Sequence, residues 1–468
     1  MVVRYSSFSD QKRVKLPPSC YFASAMPESL FPLTVPEAVE RIRARNPVLK
    51  AFICERLDDA LRDSVARANE LRRSVLHGVP FSLKDEWETL SLPTTGGSWR
   101  HRQRRSSHDS AVFRAFDQAG GVFLGKTNLS DLGLAPEASS WVGGATLNPF
   151  DLTRTAGGSS GGAAAAVADG MSAIDWGTDI GGSIRYPAGH CGVFGMKLSA
   201  ESWPLSDLFP IVPEAITWLC SQGPITRTLP QLRAVIETVA PTLRTGSVRT
   251  GFTAREVALY VPSKGTQWES FADDVAESLT HVIARPTEDH DLPPLRDAQW
   301  IYDGVWCSHL LDLLAADPSL RLIPAIFGVL SAVVFRGLLG KSFHPATAEL
   351  LLQIALGRIL YFHSKQAALA KAQQVRHSFQ RLWDRGAIVV LPVCSWSAPR
   401  PGRTNYNPRL IECTVPGNLA DATALVLPWG RFDDGLPRAI QLLGPPGSEF
   451  HLIELGGKLL ETRLRMEA

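Results

Sequence analysis

Apolar residues recur along this chain at two alternating periods, one helical and one of two residues. In "TVPEAVERIRARNPVLKAF" the helical period follows Thr34. Pro36 lies in the first turn and Glu37 three residues after Thr34, a capping box that predicts a helix starting there. Leu57 to Leu76 carries Ala, Val and Leu at helical spacing and predicts a second helix. "GVPFSLKDEW", Gly78 to Trp87, alternates instead. It predicts a strand with Ser82 and Lys84 on one face and Phe81, Leu83 and Asp85 on the other. "AVFRAFDQAGGVFLGKTN" reads as helix, Gly-Gly turn and strand, and "GGAAAAVADGM" as a helix opening after glycines. "AIDWGTDIGGSIRYPAGHCGVFGMK" reads as a strand and a glycine turn, with Pro187 restricting the chain around it. The pattern weakens from Pro241 to Arg358. It returns in three buried strands, "AIVVLPVCSW", "ALVLPWG" and "RAIQLLGP", and a closing amphipathic helix, "EFHLIELGGKLLETRL". Strands alternating with helices predict one large α/β domain over 28–468: a mixed, mostly parallel twisted sheet covered by helices on both faces. Residues 1–27 read as an irregular arm.

Composition narrows the class without naming a reaction. The 468 residues are 45% hydrophobic and 20% charged, ordinary for a soluble enzyme. A net charge of +2 gives no drive toward nucleic acid, and no nucleic-acid partner is expected. The basic stretch "WRHRQRRSSH", Trp99 to His108, reads as a solvated loop. Seven scattered cysteines with no C-x-x-C pair argue against a disulfide framework and fit a reducing, cytoplasmic setting. The eleven histidines show no metal-ligand spacing, and the N-terminus lacks the apolar core of a secretory leader. Neither a metal nor a cofactor is expected.

One run concentrates small residues: "TRTAGGSSGGAAAAVADG", Thr153 to Gly170. No lysine follows its glycines as a Walker phosphate loop requires, and the spacing is not G-x-G-x-x-G. A flexible linker fits poorly beside an Ala/Val helix that must pack. Gly157 to Gly161 matches the G-x-S-x-G nucleophile elbow, with Asp421 and His451 as downstream partners. That elbow needs a strand directly before it, and "NPFDLTRTA" reads as a polar loop.

Three motifs in order settle the matter. "GVPFSLKD" ends in Lys84 and Asp85, "GGSSGG" carries Ser159 and Ser160, and "GTDIGGSIRYPAGHCGVFGMK" carries Ser183. With "GKTNLSDLG", "NPFD", "GPITRT", "TVPGNLADATALVLP" and "DGLPRAIQLLGP", the chain resembles the amidase signature family over most of its length, thinning between Thr245 and Val390. The resemblance implies a catalytic core at about 70–240, a divergent, substrate-capping region at about 245–360, and C-terminal core elements at about 385–468. It implies amide hydrolysis with Ser183 as nucleophile, Ser159 as a bridging serine after a cis Gly158–Ser159 peptide, and Lys84 as base. It implies an oxyanion hole from Ile180, Gly181 and Gly182, with Ser160, Asp179 and Arg185 in support. His190 and Cys191 read as packing residues.

The chemistry suits these residue types. A serine hydroxyl is a weak nucleophile until a base takes its proton. A lysine can be that base only when neutral, and burial lowers its pKa. Glycines let backbone N–H groups approach the oxygen that becomes charged. The chain departs from the family at Asp175, where a small residue is usual, at Pro230-Gln231, where an acidic residue is common, and at Asp421-Ala422-Thr423, where Gly-Leu-Pro is usual.

The apolar run "LIPAIFGVLSAVVF", Leu322 to Phe335, is too short to span a membrane. It reads as a buried helix. By the resemblance it also reads as an interfacial cap, peripheral at a membrane surface, that would favour a hydrophobic fatty acyl or aryl amide. A small-molecule amide is the expected partner, and a homodimer is open. The other readings are an A-type amidotransferase component releasing ammonia from glutamine in a complex, and a non-catalytic scaffold.

Overall fold

Thr34 opens the first helix as its sequence pattern predicts. Its side chain accepts from the Glu37 N–H while Glu37 accepts from the Thr34 N–H at 2.9 Å, closing the capping box of α1 (Val35–Leu49). The computed structural model describes residues 29–245, 252–260, 272–283, 287–288, 292–316, 343–349, 352, 365–404 and 409–467. The arm at 1–27 and the apolar run at 322–335 lie outside them, as does much of the region read as a cap.

After α1 come β1 (Phe52–Glu55), α2 (Leu57–Ala68), β2 (Pro80–Lys84), α3 (Ala111–Gln118) and β3 (Val122–Thr127). Four short strands are next, β4 (Ser139–Ser140), β5 (Gly144–Ala145), β6 (Leu147–Asn148) and β7 (Asp151–Thr155). Then come α4 (Gly161–Asp169), β8 (Ile174–Asp179), α5 (Arg185–His190), β9 (Phe194–Lys197), β10 (Ser221–Thr226) and α6 (Leu229–Leu243). The rest comprises β11 (Glu256–Leu259), α7 (Ala272–Val282), β12 (Thr287–Glu288), α8 (Leu295–Ala316) and α9 (Lys365–Asp384). It ends with β13 (Ala387–Pro392), α10 (Val415–Leu419), β14 (Thr423–Arg431), β15 (Pro437–Gly444) and α11 (Glu449–Glu467).

Eleven of these strands form one mixed sheet in the order β1-β3-β2-β8-β10-β9-β14-β15-β13-β11-β12. Its parallel character is confined to two blocks, β3-β2-β8 and β13-β11-β12, and antiparallel pairings join them. Helices cover both faces. Along β14, Leu425 and Leu427 enter one core with Phe116, Leu232 and Leu452, while Val426 enters another with Ile42, Ala165 and Ile184. That alternation within an unbroken apolar run marks a strand buried on both sides.

Four sequence expectations change locally. The helix predicted for Leu57 to Leu76 stops at Ala68. Farther on, Ser74 donates to the Ala119 carbonyl and accepts from the Leu76 N–H, turning the chain toward β2. "NPFDLTRTA" is not a loop: it includes β7, which pairs with β6 in a separate two-stranded ribbon. Asn148 and Asp151 tighten that turn by accepting from Phe150 and Thr153 N–H groups. Pro187 sits inside the first turn of α5, where a missing N–H is no loss. The basic stretch is partly tied down: Arg104 pairs with Glu88 and lies 4.2 Å from the Phe209 ring centroid. Among the described residues no helix is long and apolar enough to cross a membrane.

Candidate active site

Lys84 ends β2, and the parallel neighbour β8 brings Thr178 beside it. The lysine is fully buried. Its Nζ donates to Ser159 Oγ at 2.7 Å and to Thr178 Oγ1 at 2.7 Å, and lies 3.1 Å from Glu86 Oε2. Burial pushes the Lys84 pKa down, the nearby carboxylates of Glu86, Asp179 and Asp175 pull it back up, and it stays below the ordinary lysine value. Thr178 completes a chain by donating to the same Glu86 oxygen at 2.6 Å.

Ser159 comes after a cis peptide at Gly158, as the resemblance implies. Gly158 is required for space: a Cβ there would lie 2.5 Å from the Glu137 backbone nitrogen. Ser160 holds the loop to the next turn, with its N–H donating to the Ser183 carbonyl at 3.1 Å and its hydroxyl to the Thr178 carbonyl at 3.3 Å.

That next turn is built around Asp179. Its carboxylate accepts from the N–H groups of Gly182 at 2.9 Å and Ile184 at 3.1 Å, and from Arg185 Nη2 at 2.8 Å. Burial alone would raise the Asp179 pKa, but Arg185, Lys197 and Asn418 hold it below the usual carboxylate value. Arg185 reaches on to the Thr414 carbonyl, Gln441 and Asn418. Gly182 has φ +119°, and a Cβ on it would collide with Thr414.

The sequence reading places Gly182 among the oxyanion donors. Its N–H is committed to Asp179, because the carboxylate pulls the turn inward. Ile180, Gly181 and Ser183 line a cavity with Gly158, Leu134, Pro136, Tyr302 and Trp306. Lys84 and Ser159 are thus hydrogen-bonded behind this wall. Among the described residues no hydrogen bond joins the Ser159 and Ser183 hydroxyls.

Other sequence candidates have other partners. His451 accepts from the Ala254 N–H, and Asp421 accepts from the N–H groups of Ala200 and Glu201, so neither serves an elbow at Ser159. Asp421 has φ +52°, a backbone region that favours glycine. Asp175 is buried and accepts from Ser82 at 2.5 Å and Thr127 at 3.0 Å. Burial pushes its pKa up to about 7. His190 is buried, its ring centroid 4.2 Å from that of Tyr186, and Cys191 is buried nearby.

Sequence reasoning missed Glu86, Thr178 and Asn418. Thr178 stands inside a quoted motif and inside β8, one residue before Asp179, where strand register could have placed it, whereas Glu86 lies in the turn beyond β2, two residues after Lys84, where register does not reach. Nothing local signals that Asn418 will meet Asp179, 239 residues away. Among the described residues no cluster of three or more His, Cys, Asp or Glu is placed to hold a metal.

The pattern of the amidase family matches residues 34–259 and 330–453. AmiB2 of Mycobacterium tuberculosis, a putative amidase by its own description, is 30% identical over 463 residues, covering 92% of each chain. The A-type component of the glutamyl-tRNA(Gln) amidotransferase of Trichodesmium erythraeum is 30% identical over 461 residues, covering 87% of this chain and 89% of the other. A crystal structure of an amidase superposes with a TM-score of 0.72 at 26% identity, covering 92% of this chain and 95% of that one.

Proposed function

This chain belongs to the amidase signature family and is an amidase, and on that footing we propose that it hydrolyses a small carboxylic amide through an acyl-enzyme on Ser183. One observation carries the reading: a fully buried lysine is hydrogen-bonded to Ser159 behind a cavity that Ser183 lines. Neutral Lys84 takes the Ser159 proton as Ser159 takes that of Ser183. The Ser183 Oγ then attacks the amide carbonyl. The missing Ser159–Ser183 hydrogen bond forms once substrate orders the Ser183 hydroxyl, as catalytic hydrogen bonds often tighten only in the complex.

As the carbonyl oxygen gains charge, it accepts from the Ile180 and Gly181 N–H groups, with Gly182 acting through Asp179 as a brace. Each such donor is worth about 3 kcal/mol of transition-state stabilisation. The C–N bond breaks as the relay returns a proton through Ser159 to the leaving nitrogen. Water then attacks the acyl carbonyl by the same route reversed, releasing the acid and restoring Ser183. Ser160 and Arg185 hold the two loops in register. The apolar walls Leu134, Ala135, Pro136, Ile180 and Ile411 support a substrate with an alkyl or aryl body.

The test is an amide panel with the lone purified chain, beside labelling by a serine-directed fluorophosphonate. Ser183→Ala should lose labelling and at least about 10³-fold in kcat, with unchanged thermal unfolding. Undiminished turnover in that variant would remove Ser183 from the mechanism. The similarity to an A-type amidotransferase component supports a second reading, ammonia release from glutamine within a complex. Activity only with added partner chains would favour it, and hydrolysis by the lone chain would exclude it.

A further inference from the structure

Helix α8 puts Tyr302, Asp303 and Trp306 on the wall of the cavity that Ser183 lines. Asp303 and Trp306 stand three residues apart and so share a helix face. The surrounding wall is chemically different, being made of Leu134, Ala135, Pro136, Ile180 and Ile411 with the glycine turn. Among the described residues no lysine, arginine or histidine lines it. Among the described residues, none forms a hydrogen bond or ion pair with the Asp303 carboxylate.

A carboxylate set in an apolar wall without a partner is costly, since desolvation favours its neutral form. Burial accordingly pushes the Asp303 pKa up to about 7. The buried carboxylates around Lys84 are answered, Asp179 by Arg185, Glu86 by Lys84 and Thr178, and Asp175, through one of its two oxygens, by Ser82 and Thr127. Asp303 differs in facing the space a substrate would fill. Two aromatic residues line the same wall, Tyr302 and Trp306, with ring centroids 6.2 Å apart. A carboxylate beside aromatic rings is a recognition chemistry for an ammonium group, combining a charge-assisted hydrogen bond with attraction to ring faces.

We propose that this cavity selects amides carrying a protonated amine on an otherwise apolar body, with Asp303 binding the ammonium between Tyr302 and Trp306. The proposal rests on the reading of Ser183 as nucleophile for its catalytic meaning. The binding itself can be tested apart from it.

Two measurements keep these apart. Calorimetric titration compares n-hexylammonium with n-hexanol, which needs no nucleophile. Wild type should bind the ammonium at least about 10-fold tighter, and Asp303→Asn should abolish that ratio while leaving n-hexanol binding unchanged. Equal binding of the two probes by wild type, or a ratio that survives both Asp303→Asn and Asp303→Leu, overturns the proposal. The second measurement is kcat/KM on a matched pair of amides, one ending in an aminomethyl group and one in a hydroxymethyl group. Asp303→Asn should lower kcat/KM about 10-fold for the amine member only. A fall shared equally by both members would mark Asp303 as structural and overturn its role in selection. If fluorophosphonate fails to label Ser183 while the ammonium preference in binding persists, the nucleophile reading falls and the ammonium site stands.

Discussion

Glu86 is the residue that most changes how Lys84 acts. A base of this kind must be neutral, yet a carboxylate oxygen lies 3.1 Å from its nitrogen and favours the ammonium. Burial wins in direction, because the Lys84 pKa is lowered overall, while Glu86 is the largest influence raising it. Removing that charge should lower the pKa further, so that Lys84 is neutral at lower pH. Glu86→Gln is therefore expected to move the acid limb of the kcat/KM–pH profile toward lower pH, with Thr178 still able to donate to the amide oxygen. An unmoved limb, with kcat and KM otherwise intact, would show that Glu86 does not tune Lys84. Lys84, Ser159 and Ser183 were singled out in the sequence because three short motifs carry them in the order of the family the chain resembles. Glu86 was not, because its meaning depends on a side-chain contact beyond the motif's spacing.

At the scale of elements, the glycine-serine run works through close packing. All nine residues of α4 are buried, and its first turn lies against the chain at Ala51 and Asn128. A Cβ on Gly162 would stand 2.4 Å from Ala51 O and from both the N and O of Asn128, backbone atoms that cannot swing aside. Overpacking of this kind costs about 1–3 kcal/mol, at times more. Gly162→Ala is expected to lower stability by at least that amount in denaturant unfolding, and to reduce kcat by shifting Ser159. A variant with wild-type stability would mean that α4 tolerates displacement. The strand at β7 escaped the sequence reading because its residues are mostly polar and only Thr155 is fully buried, so alternation carried no signal.

For the molecule as a whole, Arg185 is the tie between distant parts of the chain. From one turn it reaches Asp179, 6 residues back, and Thr414, Asn418 and Gln441, which lie 229, 233 and 256 residues ahead. Removing one partner of a buried pair leaves the other charge uncompensated, at about 3–5 kcal/mol. Arg185→Met should therefore destabilise the fold by about that amount, measured by denaturant unfolding. Adding Asp179→Asn should recover part of the loss, because the stranded charge is then gone. No recovery in the double variant would place the effect in packing instead of charge.

The α/β alternation, the capping box at Thr34, the three motifs and the family they belong to are all written in the order of residues. Each rests on positions near one another in the chain, where backbone geometry and side-chain period act locally. Which groups meet across the sheet is a property of the folded chain alone. Folding set Glu86 and Thr178 on Lys84, turned the Gly182 N–H to Asp179, and brought Asn418 and Gln441 to Arg185. It also set Asp303 on the wall of the Ser183 cavity. Such contacts depend on strand order and register, which are settled by the packing of the whole core.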